Sequence, residues 1–247
     1  MAVSFKARVV RAEPWNGDTA YVHCEMIEPA ELGFVGGQYI IVNSGKALPN
    51  GKPGKRAYSI PSSDVEQRCF DLVVKRIPQG VGSNFVWDLK EGDTFEFSGP
   101  WGKYYCSGEA EGETLCVSTD TGITAALGLL RGKRRPKALR QTRFLWLTGS
   151  HDYFIPVSIV KAWLPGAVDA RFPVIIPPVG TEARIAAAVK EVESRVAGAT
   201  FSKIYLSGDG LILRELKEFF LTLGYTEDRV VVETFFNHAS LKTASAA

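Results

Sequence analysis

From Glu113 onward the chain alternates strand-like and helix-like stretches, and this alternation constrains the fold more than any other feature. TLCVS reads as a strand and TGITAALGLLRG as a helix rich in small residues. RFLWLTG, DARFPVII, KIYLSG and RVVVETF continue the strands. PVSIVKAWL, the strongly amphipathic EARIAAAVKEVESRV and LILRELKEFFLTLG supply helices between them. Such a βα alternation predicts a parallel sheet with helices on both faces. Ligands of these sheets bind beyond the carboxyl ends of the strands. Here those ends are STDTG, TGSHD, PPVGT and SGDG, so a nucleotide-sized crevice is expected there.

Residues 3–106 follow a different pattern. Short alternating runs (FKARVVRAE, AYVHCEMI, QYIIVNS, CFDLVVKR, DTFEFSG) are broken by turn formers such as WNGD, LPNGKPG and KEGD. Close-spaced short strands of this kind indicate a barrel or sandwich. One helix interrupts them across SNFVWDLK, with Ser83 the expected N-cap and Phe85, Val86 and Leu89 its apolar face. The small, polar, Gly-rich stretch at 107–113 marks the change, giving expected domains 1–108 and 109–247.

Composition narrows the classes of function. A net charge of +2 over 247 residues gives no overall drive toward nucleic acid or an anionic membrane. No run approaches 18 apolar residues and MAVSFKARVV lacks a signal-peptide core, so the sequence reads as a cytoplasmic protein without a membrane span. Cys24, Cys69, Cys106 and Cys116 are scattered, as are His23, His151 and His238, and no metal site is expected. The basic run from Arg131 to Arg140 reads as a solvated loop, with a docking patch for an acidic protein as the alternative.

The stretch KRAYSIPSS, residues 55–63, places Arg56, Tyr58 and Ser59 within four residues. A planar cation, an aromatic plate and a hydroxyl suit a large, flat, anionic ligand, and they also suit an ordinary surface strand. Gly80, Val81, Gly82 and Ser83 stand at a helix start, where backbone N–H groups and a hydroxyl make a ready anion site.

In order along the chain, RAYSIPSS, FDLVVKR, GVGSNFVWDLKEGD, SGPWGK, STDTGIT, IYLSG and VVVETF resemble landmarks of the ferredoxin–NADP reductase superfamily. The resemblance implies an N-terminal antiparallel β-barrel that binds FAD, followed by a parallel-sheet α/β domain that binds NAD(P). It implies that Arg56 and the Gly80–Ser83 turn hold the FAD pyrophosphate, with Tyr58 along the flavin and Ser59 near its N5. Val74 and Lys75 on the following strand join the cofactor-binding set. Thr119, Asp120, Thr121, Gly122 and Gly208 border the nicotinamide by the same resemblance. Ser207 stands where the family has a cysteine close to the nicotinamide, Glu233 is a polar or proton-handling group beside it, and Phe235 covers the flavin. The implied activity passes hydride from NADH or NADPH to FAD. Single electrons then go to a separate acceptor such as a ferredoxin, a flavodoxin or an oxygenase component.

The nicotinamide end departs from that pattern. Asp120 replaces a glycine, and Thr124 and Ala125 replace Ala-Pro. Asp120 either faces the dinucleotide pyrophosphate and repels it, or caps the following helix. Where plant-type members carry a Ser-Arg pair for the 2′-phosphate of NADP, this chain has Ile175 and Ile176, which favours NADH. A second reading follows from these departures: a flavin-binding electron-transfer or redox-sensing module with weak or no nicotinamide activity.

Overall fold

The structure is a computed structural model and describes residues 4–48, 50–106, 112–133, 141–166 and 168–236. Residues 107–111, where the domain change is expected, and 134–140 of the basic run lie outside the described residues.

Six strands form the first sheet: β1 (Phe5–Asn16), β2 (Thr19–Glu28), β3 (Tyr39–Ala47), β4 (Pro53–Ser59), β5 (Cys69–Lys75) and β6 (Thr94–Trp101). They pair antiparallel in the order β4-β3-β6-β1-β2-β5, a barrel-like sheet. Alternating residues, among them Val9, Val22, Ile40, Phe70 and Phe97, point into one core, as period-two patterning requires. Helix α1 (Val81–Asp88) closes over this core with Val86. Its N-cap is Gly80 rather than the expected Ser83. Ser83 Oγ instead accepts the Ile77 N–H at 3.0 Å and so fixes the loop leading into the helix.

The second sheet contains β7 (Glu113–Thr119), β8 (Thr142–Thr148), β9 (Val168–Ile175), β10 (Phe201–Asp209) and β11 (Val230–Phe236). All its pairings are parallel, in the order β11-β10-β7-β8-β9. Helices α2 (Ile123–Arg131) and α3 (Val157–Trp163) share one core with Phe144, Trp146 and Tyr205. On the other face, α4 (Ala183–Val196) and α5 (Gly210–Thr222) pack against Leu115, Leu145 and Leu206. The apolar stripe of α5 (Ile212, Leu213, Leu216, Phe220) is fully or almost fully buried. Each such side chain contributes roughly 1.5–3 kcal/mol of transfer free energy, which is why this helix holds to the sheet. Among the described residues no helix is long and apolar enough to cross a membrane.

The two sheets meet along α2. A Cβ on Gly128 would stand 2.2 Å from Ile60 O, and one on Gly36 would stand 2.3 Å from Gly128 O, so backbone lies directly on backbone here. Arg131 donates Nη1 to Pro61 O at 2.8 Å and lies over the Trp163 ring, 4.5 Å from its centre. The first residue of the basic run is therefore a seam residue, not part of a solvated loop.

Candidate functional site

On the barrel side, β4 and the start of α1 come together. Gly82 packs so tightly that a Cβ there would lie 2.5 Å from Arg56 Cγ and 3.1 Å from the Tyr58 hydroxyl. Arg56 is exposed and donates Nη1 to Lys55 O at 2.9 Å. The Tyr58 hydroxyl is buried without a hydrogen-bond partner, and burial raises its pKa. An orphaned hydroxyl costs free energy on the order of 1–3 kcal/mol, so a group that pairs with it is expected at this spot. The first N–H groups of α1, those of Val81, Gly82 and Ser83, belong to a helix start without a side-chain cap. A cation, an orphaned donor and helix-start amides beside a glycine cradle fit the pyrophosphate of a dinucleotide.

Ser59 is buried and pairs in register with Tyr39 of β3, which in turn pairs with Trp101. Val74 lies in the barrel core, and Lys75 pairs with Asp18 at 3.0 Å, so neither side chain joins the cradle.

On the α/β side, the strand order reverses between β7 and β10, and the carboxyl ends at such a reversal are where ligands of parallel sheets bind. Thr119 ends β7, and a 3-10 turn of Asp120, Thr121 and Gly122 leads into α2. Gly122 sits flat on β10, since a Cβ there would be 2.4 Å from Ser207 O. Gly208 has φ +125°, and a Cβ on it would strike Thr119 Oγ1. Asp209 N–H donates to that same Thr119 hydroxyl at 2.7 Å, which locks the two strand ends together. Ser207 is fully buried and donates to Gly122 O at 2.9 Å, with Ser118 Oγ at 3.0 Å. It supports the turn from beneath, its hydroxyl engaged with the Gly122 carbonyl and Ser118.

Glu233 and Phe235 of β11 stand half-buried where the sheets face each other. A Cβ on Gly102, just past β6, would lie 3.0 Å from the Tyr39 ring and 3.6 Å from Glu233 Oε2. Burial raises the Glu233 carboxyl above its ordinary range, and both burial and Glu233 raise the Tyr39 phenol. Tyr39 was not singled out in the sequence, although its place at the start of a strand opposite Ser59 is a usable signal. Phe235 packs on the cluster that holds Tyr104 and Tyr205.

Of the two positions expected for Asp120, the helix cap is not taken. Its backbone is left-handed, with φ 46°, a conformation that glycine adopts most readily. Its carboxylate pairs with Arg184 of α4 and accepts the Gly149 N–H at 3.2 Å, and it does not cap the 3-10 turn. Burial raises its carboxyl, while Arg184 pulls the other way. Of the two isoleucines, Ile175 is exposed and Ile176 is in the core, so Ile175 alone faces outward.

The Oxidoreductase FAD-binding domain family matches residues 6–105. The chain is 28% identical over 204 residues to ferredoxin–NADP reductase B of Sorangium cellulosum, covering 81% of this chain and 82% of that protein. It is 31% identical over 219 residues to NADH-cytochrome b5 reductase 1 of Neosartorya fischeri, covering 82% of this chain and 69% of that protein. The chain belongs to the ferredoxin–NADP reductase superfamily. It is a flavoprotein oxidoreductase, and the matched FAD-binding domain contains the Arg56–Tyr58–Gly82 cradle. The fold agrees with a ferredoxin NADP+ reductase of Neisseria gonorrhoeae, at a TM-score of 0.75 and 14% identity over 96% of this chain and all of that one.

Proposed function

We propose that this flavoprotein takes electrons from NAD(P)H, with NADH preferred, and delivers them to a separate one-electron acceptor. A ferredoxin, a flavodoxin or an oxygenase component has the required chemistry. The observation that carries the reading is the approach of the two sheets at Gly102, where a Cβ would lie 3.0 Å from the Tyr39 ring of the barrel and 3.6 Å from Glu233 Oε2 of β11. It joins the sheet that carries the Arg56–Tyr58 cradle to the sheet whose strand order reverses between β7 and β10. When bound, FAD supplies the hydride-accepting and one-electron chemistry that the side chains lack.

The chain's own residues bind, orient and shield. Arg56 and the α1 amides hold the pyrophosphate, each charge-assisted bond being worth about 1.5–3 kcal/mol. Tyr58 supplies its orphaned hydroxyl and its ring, and Ser59 lies on the flavin side of β4. Glu233, with its carboxyl raised by burial, holds a proton to higher pH than an exposed glutamate and is placed to pass one across the crevice. Phe235 shields the face of the site. Ile175 offers no charge to a 2′-phosphate, which supports NADH over NADPH.

The test is an anaerobic titration of the FAD-loaded protein with NADH and with NADPH, followed at the flavin band. Bleaching by NADH at lower concentration and higher rate is expected. A preference of tenfold or more for NADPH overturns the specificity. No bleaching by either favours the flavin module without nicotinamide activity, a reading that the inward-turned Ser207 supports.

A further inference from the structure

Arg184 occupies a position that an amphipathic helix reserves for an apolar residue. It shares the buried stripe of α4 with Ala188, Val192 and Val196, and its side chain is 1% exposed. The guanidinium reaches the carboxyl ends of the strands from below. Nη1 donates to Pro177 O beyond β9 at 2.7 Å, Nε donates to Asp209 of β10 at 3.3 Å, and Nη2 meets the Asp120 carboxylate beyond β7. Asp120 passes the tie on to β8, since its second oxygen accepts the Gly149 N–H and its carbonyl accepts the Trp146 indole N–H at 2.9 Å. One fork thus fixes four strand ends, together with a non-glycine residue at positive φ.

A buried ion pair is a poor source of net stability, because desolvation offsets most of the attraction. What this one does is set the shape and the charge of the turn that borders the crevice. We propose that Arg184 is a positioning residue for the dinucleotide, holding the Asp120–Gly122 turn in its receptive shape and neutralising Asp120 beneath the bound pyrophosphate. The inference rests on the nicotinamide reading above. It accounts for an aspartate in a loop where a free carboxylate would repel the ligand by Coulomb forces.

The test uses FAD-loaded wild type, R184Q, D120N and the R184Q/D120N double variant, with NAD+ as the probe. Dissociation constants are measured calorimetrically from pH 6 to 9. The groups facing the Asp120 carboxylate are Arg184 from α4, Asp209 from the end of β10, and the Gly149 amide. Without Arg184, Asp120 lies buried beside Asp209 and takes up a proton more readily. R184Q is therefore expected to bind NAD+ tenfold or more weakly at pH 8, with a smaller loss at pH 6. Wild type stays nearly flat, and D120N binds at least as tightly as wild type, since asparagine also tolerates positive φ. The double variant recovers most of the affinity that R184Q loses. If R184Q does not fold, R184K decides, because it keeps the charge and loses the fork. A weaker but pH-flat R184K supports the role, and wild-type binding by R184K overturns it. Parallel pH profiles for R184Q and wild type, or no recovery in the double variant, also overturn it. Wild type that binds no NAD+ sinks the nicotinamide reading itself, whereas wild type and R184Q binding equally well sinks only the role of Arg184.

Discussion

Replacing Tyr58 by phenylalanine should move the apoprotein and the FAD complex in opposite directions. The Tyr58 hydroxyl is buried, lacks a partner among the described residues and lies against Gly82 and Arg56. Deleting it removes an unsatisfied polar group at almost no change in shape. The penalty for such a group is about 1–3 kcal/mol, so the apoprotein should gain about 1 kcal/mol. For a chain of this size that corresponds to a rise of about 2–4 °C in melting temperature. On the proposed reading the same hydroxyl gains a hydrogen-bond acceptor on the bound cofactor, and the variant loses a bond of about 1.5–3 kcal/mol to a charged group. The two effects add in the binding equilibrium, so FAD should bind Tyr58→Phe at least tenfold more weakly, at 1.4 kcal/mol per decade. The assay is thermal melting of deflavinated protein, paired with FAD titration by quenching of flavin fluorescence. An apoprotein destabilised by the change would refute the orphaned-hydroxyl argument. A more stable apoprotein with unchanged FAD affinity would show that the partner of this hydroxyl is not the cofactor.

The seam between the sheets gives a second prediction. Gly128→Ala gains up to about 1 kcal/mol of helix propensity, but its Cβ must clear Ile60 O by roughly an ångström of backbone movement, and overpacking of this kind costs about 1–3 kcal/mol. A net loss of about 1 kcal/mol in urea denaturation is expected, together with slower flavin reduction, because the crevice widens; a more stable protein would mean that α2 slides freely. A third prediction concerns the His23–Asp71 pair, 2.8 Å apart and partly exposed. The hydrogen bond to Asp71 raises the His23 pKa despite partial burial. Its stabilisation is therefore fully present below the unfolded value near 6.5 and is lost as pH rises through the folded value. His23→Gln should destabilise the protein by about 0.5 kcal/mol more at pH 5.5 than at pH 8.5, after allowance for solvent screening. An equal cost at both pH values would show that the charge of His23 is not involved. Finally, Arg56→Ala should weaken FAD retention on gel filtration by about 1.5–3 kcal/mol while leaving the melting of apoprotein within about 0.5 kcal/mol, since Arg56 is exposed and makes only a local backbone contact there.

What the sequence disclosed and what it hid divide along a physical line. Periodicity is local, so the alternation of strand and helix after Glu113 already contained the parallel sheet, and the helix stripes contained its two cores. The cradle was legible for the same reason: Arg56 and Tyr58 are two residues apart on a strand, and Gly80 and Gly82 open one helix turn. Arg184 was hidden because its partners, Asp120 and Asp209, are 64 and 25 residues away and meet it only once four strands are aligned. A signal was present nonetheless, since an arginine four residues before Ala188 and eight before Val192 stands on the apolar stripe of its own helix. A charge in such a place must have a buried counter-charge, and Asp120 was the acidic residue that the loop pattern could not account for. Ser83 and Ser207 illustrate the complementary case. A hydroxyl at a turn suggests a cap or a ligand contact, whereas each of these satisfies nearby backbone, at Ile77 and Gly122. Small hydroxyls inside a tightly turned site are claimed first by the backbone that turns there, because an unpaired buried carbonyl or amide costs more than the hydroxyl's absence from the ligand. On the function proposed above, the long side chains, Arg56 and Tyr58 on one side and Glu233 on the other, are those that meet the ligand. The serines and glycines set the backbone on which they stand.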